Sequence, residues 1–589
     1  MNWQAWVTLL VMAGMVYVLA RELVAPAVGV LGAVITLLVF GVISPKDAFS
    51  GFSNPAPITV AALYVLARAV EKTGALQPVL SATLGEGTGV RASLTRLVVP
   101  SAIASAFINN TPLVAMLVPP VTEWAQRRGR SPSLYLMPLS YAVLLGGVVT
   151  LIGTSTNLVV SGLLEASGQA PIGMFELTKV GAPVAVIGVA VIVALAPLML
   201  TERRPARENL REGMREFVVS MDVVRGGPLD GRAVEAGGLR HLQGVFLVEI
   251  ERQGQLIAPV APTTVLKGGD RLTFVGKAGL VVDLQRAPGL ASSEYKHVAE
   301  FDTTRHTFFE AVVGAASALV GKNLRQVGFR GRYQAAVVAI HRAGRRVDAK
   351  LGGVRLKLGD TLLLLTDPGF RDRWRDRDDF LLIAPLGGTP PAATRKASLV
   401  ALIALAIVVG AGTGLIPILQ ASLLGAVGLV LLRVLTPGEA RGALELDVLL
   451  VIAASFGLAA AMERSGLAAV IARVITTPFA FLGPSGLLLG VVLATVALTE
   501  LLTNNAAAAL MFPIALRTAA DAGTAARPFA IAITIAASCS FITPIGYQTN
   551  TMVYGPGGYR FGDYARLGLP ITILVVIALV LLVPVFWSM

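Results

Sequence analysis

A polar, helix-breaking tripeptide set in apolar sequence is the feature that most restricts this chain's fold, and it occurs twice. Asn109-Asn110-Thr111 lies within SAFINNTPLVAMLVPP, and Thr503-Asn504-Asn505 lies within ALTELLTNNAAAALMFP. At membrane depth such backbone must be buried in protein or line a cavity, because lipid offers its N–H and C=O groups no partner. The apolar arms at 97–108 and 112–122 are roughly a dozen residues each, whereas a helix needs about 20 to cross a bilayer. This predicts re-entrant helical hairpins whose tips sit near the midplane. Asn and Thr are good N-cap residues and Pro112 suits the first position of a new helix, so each tip should aim helix N–H groups and a positive dipole end at an anion. A single Asn-Asn pair would read better as a satisfied kink in one spanning helix; the recurrence in matching surroundings shifts the balance.

The remainder agrees with a membrane setting. The 589 residues are 54% hydrophobic, with a mean hydropathy of +0.72, too apolar for an ordinary soluble protein. Thirty of the 49 Lys and Arg residues fall between 201 and 395. The basic residues therefore lie mostly in one hydrophilic block, and the net charge of +13 fits a block retained on the cytoplasmic side and does not suggest nucleic-acid binding. The one cysteine, Cys539, excludes an internal disulfide, and all four histidines lie in the hydrophilic block. The N-terminal apolar stretch lacks a basic leader and reads as a retained first span.

The apolar halves on either side of the block resemble each other. AVEKTGAL at Glu71 matches AMERSGLA at Glu463, an offset of 392; Asn110 matches Asn504 at 394; TLIGTSTN at Gly153 matches TPIGYQTN at Gly546 at 393. Paired halves of this kind are a signature of secondary transporters. The short basic loop carrying Arg127, Arg128 and Arg130 is expected inside. Followed from there, the first hairpin enters from the cytoplasm and the second from outside, an inverted repeat. The hydrophilic block is itself duplicated at an offset of 90, pairing Gly231 with Gly321, Arg252 with Arg342 and Asp270 with Asp360. Alternating strand patterns ending in Gly-Asp turns suggest two small α+β modules. The expected domains are thus 1–200 (first membrane repeat), 201–290 and 291–385 (soluble modules) and 386–589 (second membrane repeat).

A second polar break follows each hairpin: Gly153-Thr154-Ser155-Thr156-Asn157 and Gly546-Tyr547-Gln548-Thr549-Asn550. Unwound carbonyls with hydroxyl and amide oxygens suit Na⁺, and half-helix N-termini suit an anion. With no Lys or Arg nearby, co-bound cations and helix dipoles would have to neutralise the anion, which couples the two. Taken singly, each break is better explained by helix packing; their spacing after each hairpin, 47 residues from Asn110 to Asn157 and 46 from Asn504 to Asn550, argues for a composite site. Glu500, whose counterpart is Ala106, is the one carboxylate beside a tip, and a structural role for it is as reasonable as cation or proton binding. Glu71 and Glu463, with Lys72 and Arg464, read as helix-end anchors. No nucleophile–base pair or metal cluster emerges, so an enzyme is not expected.

These motifs resemble the divalent anion/sodium symporter (DASS) family of inverted-repeat, elevator-type ion transporters, whose Ser-Asn-Thr motif marks each hairpin tip. The matching triplets here keep the central Asn and vary outside it. The resemblance implies a sodium-coupled symporter of a divalent anion, sulfate-type or dicarboxylate, in the plasma (inner) membrane, working as a homodimer. It implies anion contacts from Asn109, Asn110, Thr111, Thr503, Asn504, Asn505, Thr154, Thr156, Gln548 and Thr549. It implies Na⁺ ligands at Ser105, Asn110, Gly153 and Asn157, and at Thr499, Asn504, Gly546 and Asn550, with no organic cofactor. The Pro-Pro-Asn stretch of dicarboxylate carriers is replaced by Ser155-Thr156-Asn157 and Gln548-Thr549-Asn550. The soluble block resembles paired RCK C-terminal (TrkA-C) domains, implying either a small-molecule regulator or a dimer-stabilising role on the cytoplasmic side. The rival readings are a cation/proton antiporter of the same superfamily, using H⁺ through Glu500, and an RCK-gated channel.

Overall fold

A computed structural model describes residues 2–21, 23–75, 89–202, 218–239, 245–253, 255–257, 260–276, 289–292, 307–314, 317–342, 345–347, 351–367, 369–374, 379–385 and 396–588. The chain divides into two units, one formed by Met1–Glu202 with Thr389–Met589 and the other by Arg203–Gly388. His241, His297 and His306 lie outside the described residues.

The first unit is helical. Four of its helical segments are long and apolar enough to cross a membrane, Thr178–Met199, Leu446–Arg464, Leu467–Thr499 and Phe561–Phe586, and shorter apolar helices surround them. The chain is a multi-pass membrane protein. Its second half follows the first element by element. Pro26–Val39 corresponds to Ile418–Leu431, Pro55–Thr73 to Leu446–Arg464, Val90–Ser105 to Gly483–Thr499, and Asn110–Arg127 to Asn504–Asp521. Even the short helices match: Pro45–Ala48 begins with a Ser44/Asp47 capping box and Pro437–Gly442 with a Thr436/Glu439 one. In this device the first side chain accepts an amide of the opening turn while the acid reaches back to the preceding amide.

Contacts between the halves are exchanged in pairs. Lys72 Nζ meets Glu439 at 2.7 Å, and the residues matching them, Arg464 and Asp47, meet at 2.9 Å. Thr111 Oγ1 donates to Gln548 Oε1 at 3.1 Å, and the matching Ser155 Oγ donates to Asn505 Oδ1, also at 3.1 Å. Residue i of one half thus touches j of the other while their counterparts touch in the reverse sense, the pattern of contacts that a two-fold between the halves would give.

Around both tips, two expectations need correcting. Helices flank each break, Val90–Ser105 and Asn110–Arg127 at the first, Gly483–Thr499 and Asn504–Asp521 at the second. Their lengths are 16, 18, 17 and 18 residues, longer than arms of a dozen, because Arg91, Thr95 and Arg96 continue the helix past the end of the apolar run. At 1.5 Å per residue they still fall short of the about 20 residues that span a bilayer. Pro112 is the third helical residue and not the first, since the helix already starts at Asn110. Asn109 and Thr503 hold the N-cap positions, but neither side chain makes a capping hydrogen bond.

The second unit contains two five-stranded antiparallel sheets. β1 (Val218–Val223), β2 (Val245–Arg252), β3 (Gln255–Ile257), β4 (Arg271–Gly276) and β5 (Leu290–Ser292) are ordered β3-β2-β4-β1-β5. β6 (Thr307–Val313), β7 (Ala336–Arg342), β8 (Arg345–Arg346), β9 (Thr361–Thr366) and β10 (Phe380–Pro385) are ordered β8-β7-β9-β6-β10. Replacing each strand by its counterpart turns one order into the other. Each sheet also carries the same clasp. Arg252 grips Asp270 through Nε at 2.8 Å and Nη2 at 2.6 Å, and the 2%-exposed carboxylate takes the Lys267 amide at 2.7 Å. Arg342, Asp360 and the Lys357 amide repeat this at 2.7, 2.7 and 2.8 Å. For Asp270, burial raises the carboxyl's pKa, but the Arg252 guanidinium and the Lys267 amide outweigh it and the net shift is downward.

Candidate functional site

The two tip helices start beside the two later breaks of the membrane unit. Residues 148–154 separate the helix Leu136–Gly147 from Ser155–Ala166, and residues 539–547 separate Ala526–Ser538 from Gln548–Tyr554. A long stretch of non-helical backbone buried in apolar surroundings needs partners for its carbonyls, and two asparagines provide them. Asn157 Nδ2 donates to the Gly147 and Thr150 carbonyls at 3.0 and 2.7 Å. Asn550 Nδ2 donates to the Ser540 and Thr543 carbonyls at 2.9 and 3.3 Å. Both asparagines are fully buried and reach back ten and seven residues in the same way.

The hydroxyls ahead of each tip are anchored in parallel. Ser105 Oγ donates to the Val143 carbonyl at 2.7 Å, and Thr499 Oγ1 to the Ala537 carbonyl at 2.6 Å. Ser105 Oγ also lies 2.6 Å from Asn110 Oδ1. One proton cannot serve both acceptors, so a cluster of oxygens remains short of hydrogen.

Side chains from both tips and both breaks converge at the centre. Asn110 Nδ2 donates to the Tyr547 hydroxyl at 2.8 Å, and Asn504 Nδ2 lies 3.4 Å from the same oxygen. The Thr154 hydroxyl is 3.1 Å from it. With two amides donating to the phenol oxygen, its own proton is left for Thr154 Oγ1. Around this hub Asn504 Nδ2 reaches Thr156 Oγ1 at 2.6 Å, and Ser155 and Thr156 both donate to Asn505 Oδ1 at 3.1 Å. Thr111 and Gln548 close one side. Thr549 is turned away and accepts from Ser140 Oγ at 2.9 Å, while the same Ser140 hydroxyl lies 2.8 Å from Asn550 Oδ1.

Two glycines let these segments approach. A Cβ on Gly147 would sit 2.5 Å from Asn110 Oδ1, and one on Gly153 would sit 2.4 Å from the Gly147 carbonyl oxygen. Larger residues at either place would push the tip from the break.

The centre carries no basic side chain. Residues 97–122, 133–164, 484–516 and 528–559 contain no Lys or Arg. What the site offers is amide N–H, hydroxyl and the first turns of the helices at Asn110, Asn504 and Ser155, where N–H groups lack intrahelical acceptors. Several polar atoms await a partner. Asn157 Oδ1, Thr503 Oγ1 and Ser540 Oγ are buried without a hydrogen bond. An orphaned amide oxygen and hydroxyl oxygens are hard donors of the kind sodium takes, so the residues present fit that ion. Among the described residues no group of three His, Cys, Asp or Glu side chains is placed to hold a metal.

Asn110, Asn504, Asn505, Thr111, Thr154, Thr156 and Gln548 are thus brought together, with Asn109 and Thr503 at the adjoining caps. Ser105, Gly153 and Asn157 lie beside the first tip, and Thr499, Gly546 and Asn550 beside the second. Sequence reasoning left out Tyr547, Ser140 and Ser540. Tyr547 stands opposite Thr154 in the repeat, and that mismatch of size at matched positions is the signal that would have drawn attention to it.

Comparison with known proteins gives a consistent picture. A family model described as "Citrate transporter" (CitMHS) matches residues 8–536 and 480–589. A Chlamydomonas reinhardtii protein, provisionally named a sulfur deprivation response regulator, is 36% identical over 91% of this chain and 94% of its own length. An uncharacterized transporter of Synechocystis is 35% identical over 94% of this chain and 92% of its own. Sodium/sulfate cotransporter 1 of Chlamydomonas reinhardtii is 25% identical over 97% of this chain and 88% of its own.

Proposed function

The chain belongs to the citrate transporter family and is a membrane transporter, not an enzyme, and from that premise we propose that it is a sodium-coupled symporter of a sulfate-type oxyanion. The observation that carries the reading is the convergence of Asn110 and Asn504, matched residues of the two halves, on one oxygen atom. In the structure that oxygen is the Tyr547 hydroxyl. An oxyanion arriving between the tips would present oxygens of greater basicity to the same amides, with Thr111, Thr154, Thr156, Thr503, Asn505 and the two helix starts completing its shell. The tight spacing around Tyr547 favours a compact tetrahedral anion over an extended dicarboxylate, in keeping with the cotransporter names of the relatives. Ser105, Gly153 and Asn157 on one side, and Thr499, Gly546 and Asn550 on the other, would hold Na⁺, whose charge replaces the missing basic side chains.

The mechanism we infer is elevator-type alternating access. The two-fold suggested by the exchanged contacts would lie in the membrane plane, making the repeat inverted and the helices flanking each tip re-entrant from opposite leaflets. The basic loop at Arg127, Arg128 and Arg130, and with it residues 201–395, would face the cytoplasm. The two sheets, alike in strand order and in their Arg–Asp clasps, are read as RCK C-terminal-like modules with a regulatory or dimerising role.

Uptake of labelled sulfate and succinate into proteoliposomes under an imposed Na⁺ or H⁺ gradient tests this. Sulfate accumulation driven by Na⁺, abolished in folded Asn110→Ala and Asn504→Ala proteins, is expected. Normal transport by both variants would remove the anion from this place, and accumulation driven only by H⁺ would remove sodium.

A further inference from the structure

We propose that Glu500 and Ser540 turn the second-half cation site into a charged one, so that the two matched halves hold sodium unequally. This rests on the sodium-coupled reading above but goes beyond it, since that reading gives the halves equivalent neutral sites.

The argument starts from Gly546. A Cβ there would lie 2.1 Å from Ser540 Oγ, 3.1 Å from Glu500 Oε2 and 3.1 Å from the Thr499 carbonyl oxygen. Three oxygens from two segments of the chain therefore crowd against one glycine, an approach that a side chain there would block. Ser540 is fully buried. Its hydroxyl is near the carboxylate but makes no hydrogen bond of good geometry. A buried hydroxyl set beside a carboxylate without a well-formed hydrogen bond calls for an explanation, and an ion held between the two is one of the standard ones.

Glu500 is fixed where it stands. Oε1 accepts the Ile542 amide at 2.9 Å and Oε2 the Thr543 amide, also at 2.9 Å. Those amides hold the carboxylate against the unwound stretch while leaving each oxygen with further acceptor capacity. No Lys or Arg forms an ion pair with it among the described residues, and none occurs in 484–516 or 528–559. A carboxylate removed from water without a counter-charge is costly, and a cation beside Thr499 and Gly546 would supply that charge.

The first half has no equivalent. The residue matching Glu500 is Ala106 and the one matching Ser540 is Gly147, so neither counterpart carries a side-chain oxygen. The backbone is otherwise alike: Thr150 donates to the Ala106 carbonyl, as Thr543 Oγ1 does to the Glu500 carbonyl at 3.4 Å. The difference lies in the two side chains. An added negative charge in contact with the ion strengthens its binding at the second site.

The test uses the purified full-length protein, with Tm followed against NaCl at constant ionic strength made up with choline chloride, and Na⁺-dependent sulfate uptake measured alongside. For wild type, two Na⁺ affinities are expected. Glu500→Gln should raise the concentration giving half the tighter Na⁺ stabilisation by about tenfold or more, and should shift the Na⁺ dependence of uptake likewise. The anion KM at saturating Na⁺ should move little. Ser540→Ala should shift the Na⁺ response in the same direction but less, and Glu500→Ala with Ser540→Gly, which copies the first half, should leave a single weak Na⁺ response. Should Glu500→Gln not fold, Glu500→Ala, which also removes the charge, and Ser540→Ala read the same Na⁺ dependence. Unchanged Na⁺ dependence in the folded variants, against a responsive wild type, overturns this inference alone. Wild type that responds to Na⁺ no more than to choline overturns it together with the sodium-coupled reading.

Discussion

Gly147 offers the sharpest perturbation of the proposed anion site, because the adjacent glycine supplies its control. On Gly147 an added Cβ would meet only the end of the Asn110 side chain, 2.5 Å from Oδ1 and 2.9 Å from Nδ2. The first distance is about 0.9 Å short of ordinary van der Waals contact, so Gly147→Ala must displace the Asn110 amide by roughly that much. From 2.8 Å, its hydrogen bond to the Tyr547 hydroxyl would be stretched past useful length. If the same amide donates to the substrate, the loss is that of a hydrogen bond to a charged group, about 1.5–3 kcal/mol. At 1.4 kcal/mol per tenfold, this is roughly a 10- to 150-fold rise in the KM for sulfate uptake. On Gly146 the same methyl would lie 2.1 Å from the Ala102 carbonyl oxygen and 2.7 Å from its carbon, both backbone. Gly146→Ala should therefore lower Tm and yield, whereas Gly147→Ala should change KM with Tm nearly retained. Proteoliposome uptake and thermal unfolding of both variants decide the matter. A folded Gly147→Ala carrier with the wild-type KM would refute the placement of the anion beside Asn110.

Tyr547→Phe removes the oxygen to which Asn110 donates, which leaves that buried amide unmatched at about 1–3 kcal/mol unless an anion takes it, while Asn504 keeps its bond to Thr156. The apparent sulfate affinity should tighten; weaker binding would show that the phenol itself donates to the anion. Asn157→Ala strips the Gly147 and Thr150 carbonyls of their partner and should lower Tm and blunt Na⁺-dependent stabilisation, and an unaltered Na⁺ response would exclude Asn157 as a ligand. Arg252→Ala leaves the 2%-exposed Asp270 unpaired, costing about 3–5 kcal/mol in a buried setting, and limited proteolysis of the full chain should then cut first within 203–388. Glu439 is partly buried, which raises its pKa, but Lys72 and the Thr436 amide outweigh that and hold it down to about 2. A depressed carboxyl contributes stability above its ordinary pKa that is lost as pH falls toward 2, so the Tm gap between wild type and Lys72→Met should hold steady above about pH 4.5 and close below it.

The parts of this molecule that could be read from sequence are those where residue chemistry and backbone demand coincide. The helix starts at Asn110 and Asn504 are marked by polar residues of the N-cap type that nothing else in an apolar run explains, although neither cap side chain makes the capping bond. The Arg252–Asp270 and Arg342–Asp360 clasps follow from a duplication whose offset of 90 keeps every polar partner in place. The arm lengths were not legible. Arg91, Thr95 and Arg96 end the apolar run but are compatible with helix, so hydropathy stopped before hydrogen bonding did. Nor was the pairing of Tyr547 with Asn110, 437 residues away, since no local pattern encodes which side chain crosses from one half to the other.

On the proposed reading that a two-fold relates the halves, the departures from it are as informative as the matches. Lys72–Glu439 and Asp47–Arg464 are exchanged ion pairs, and Thr111–Gln548 and Ser155–Asn505 are exchanged hydrogen bonds. The matched carbonyl grips of Asn157 and Asn550 are nearly superimposable in pattern. An atom that receives hydrogen bonds from both Asn110 and Asn504 must lie near the axis relating them, and one axis passes through one such point. Only one side chain can fill it, so one half must supply a long residue, Tyr547, where the other has the short Thr154. The positions bordering that point diverge in the same sense, Glu500 against Ala106 and Ser540 against Gly147. Symmetry is kept where the halves brace each other and is given up where a single guest has to be seated.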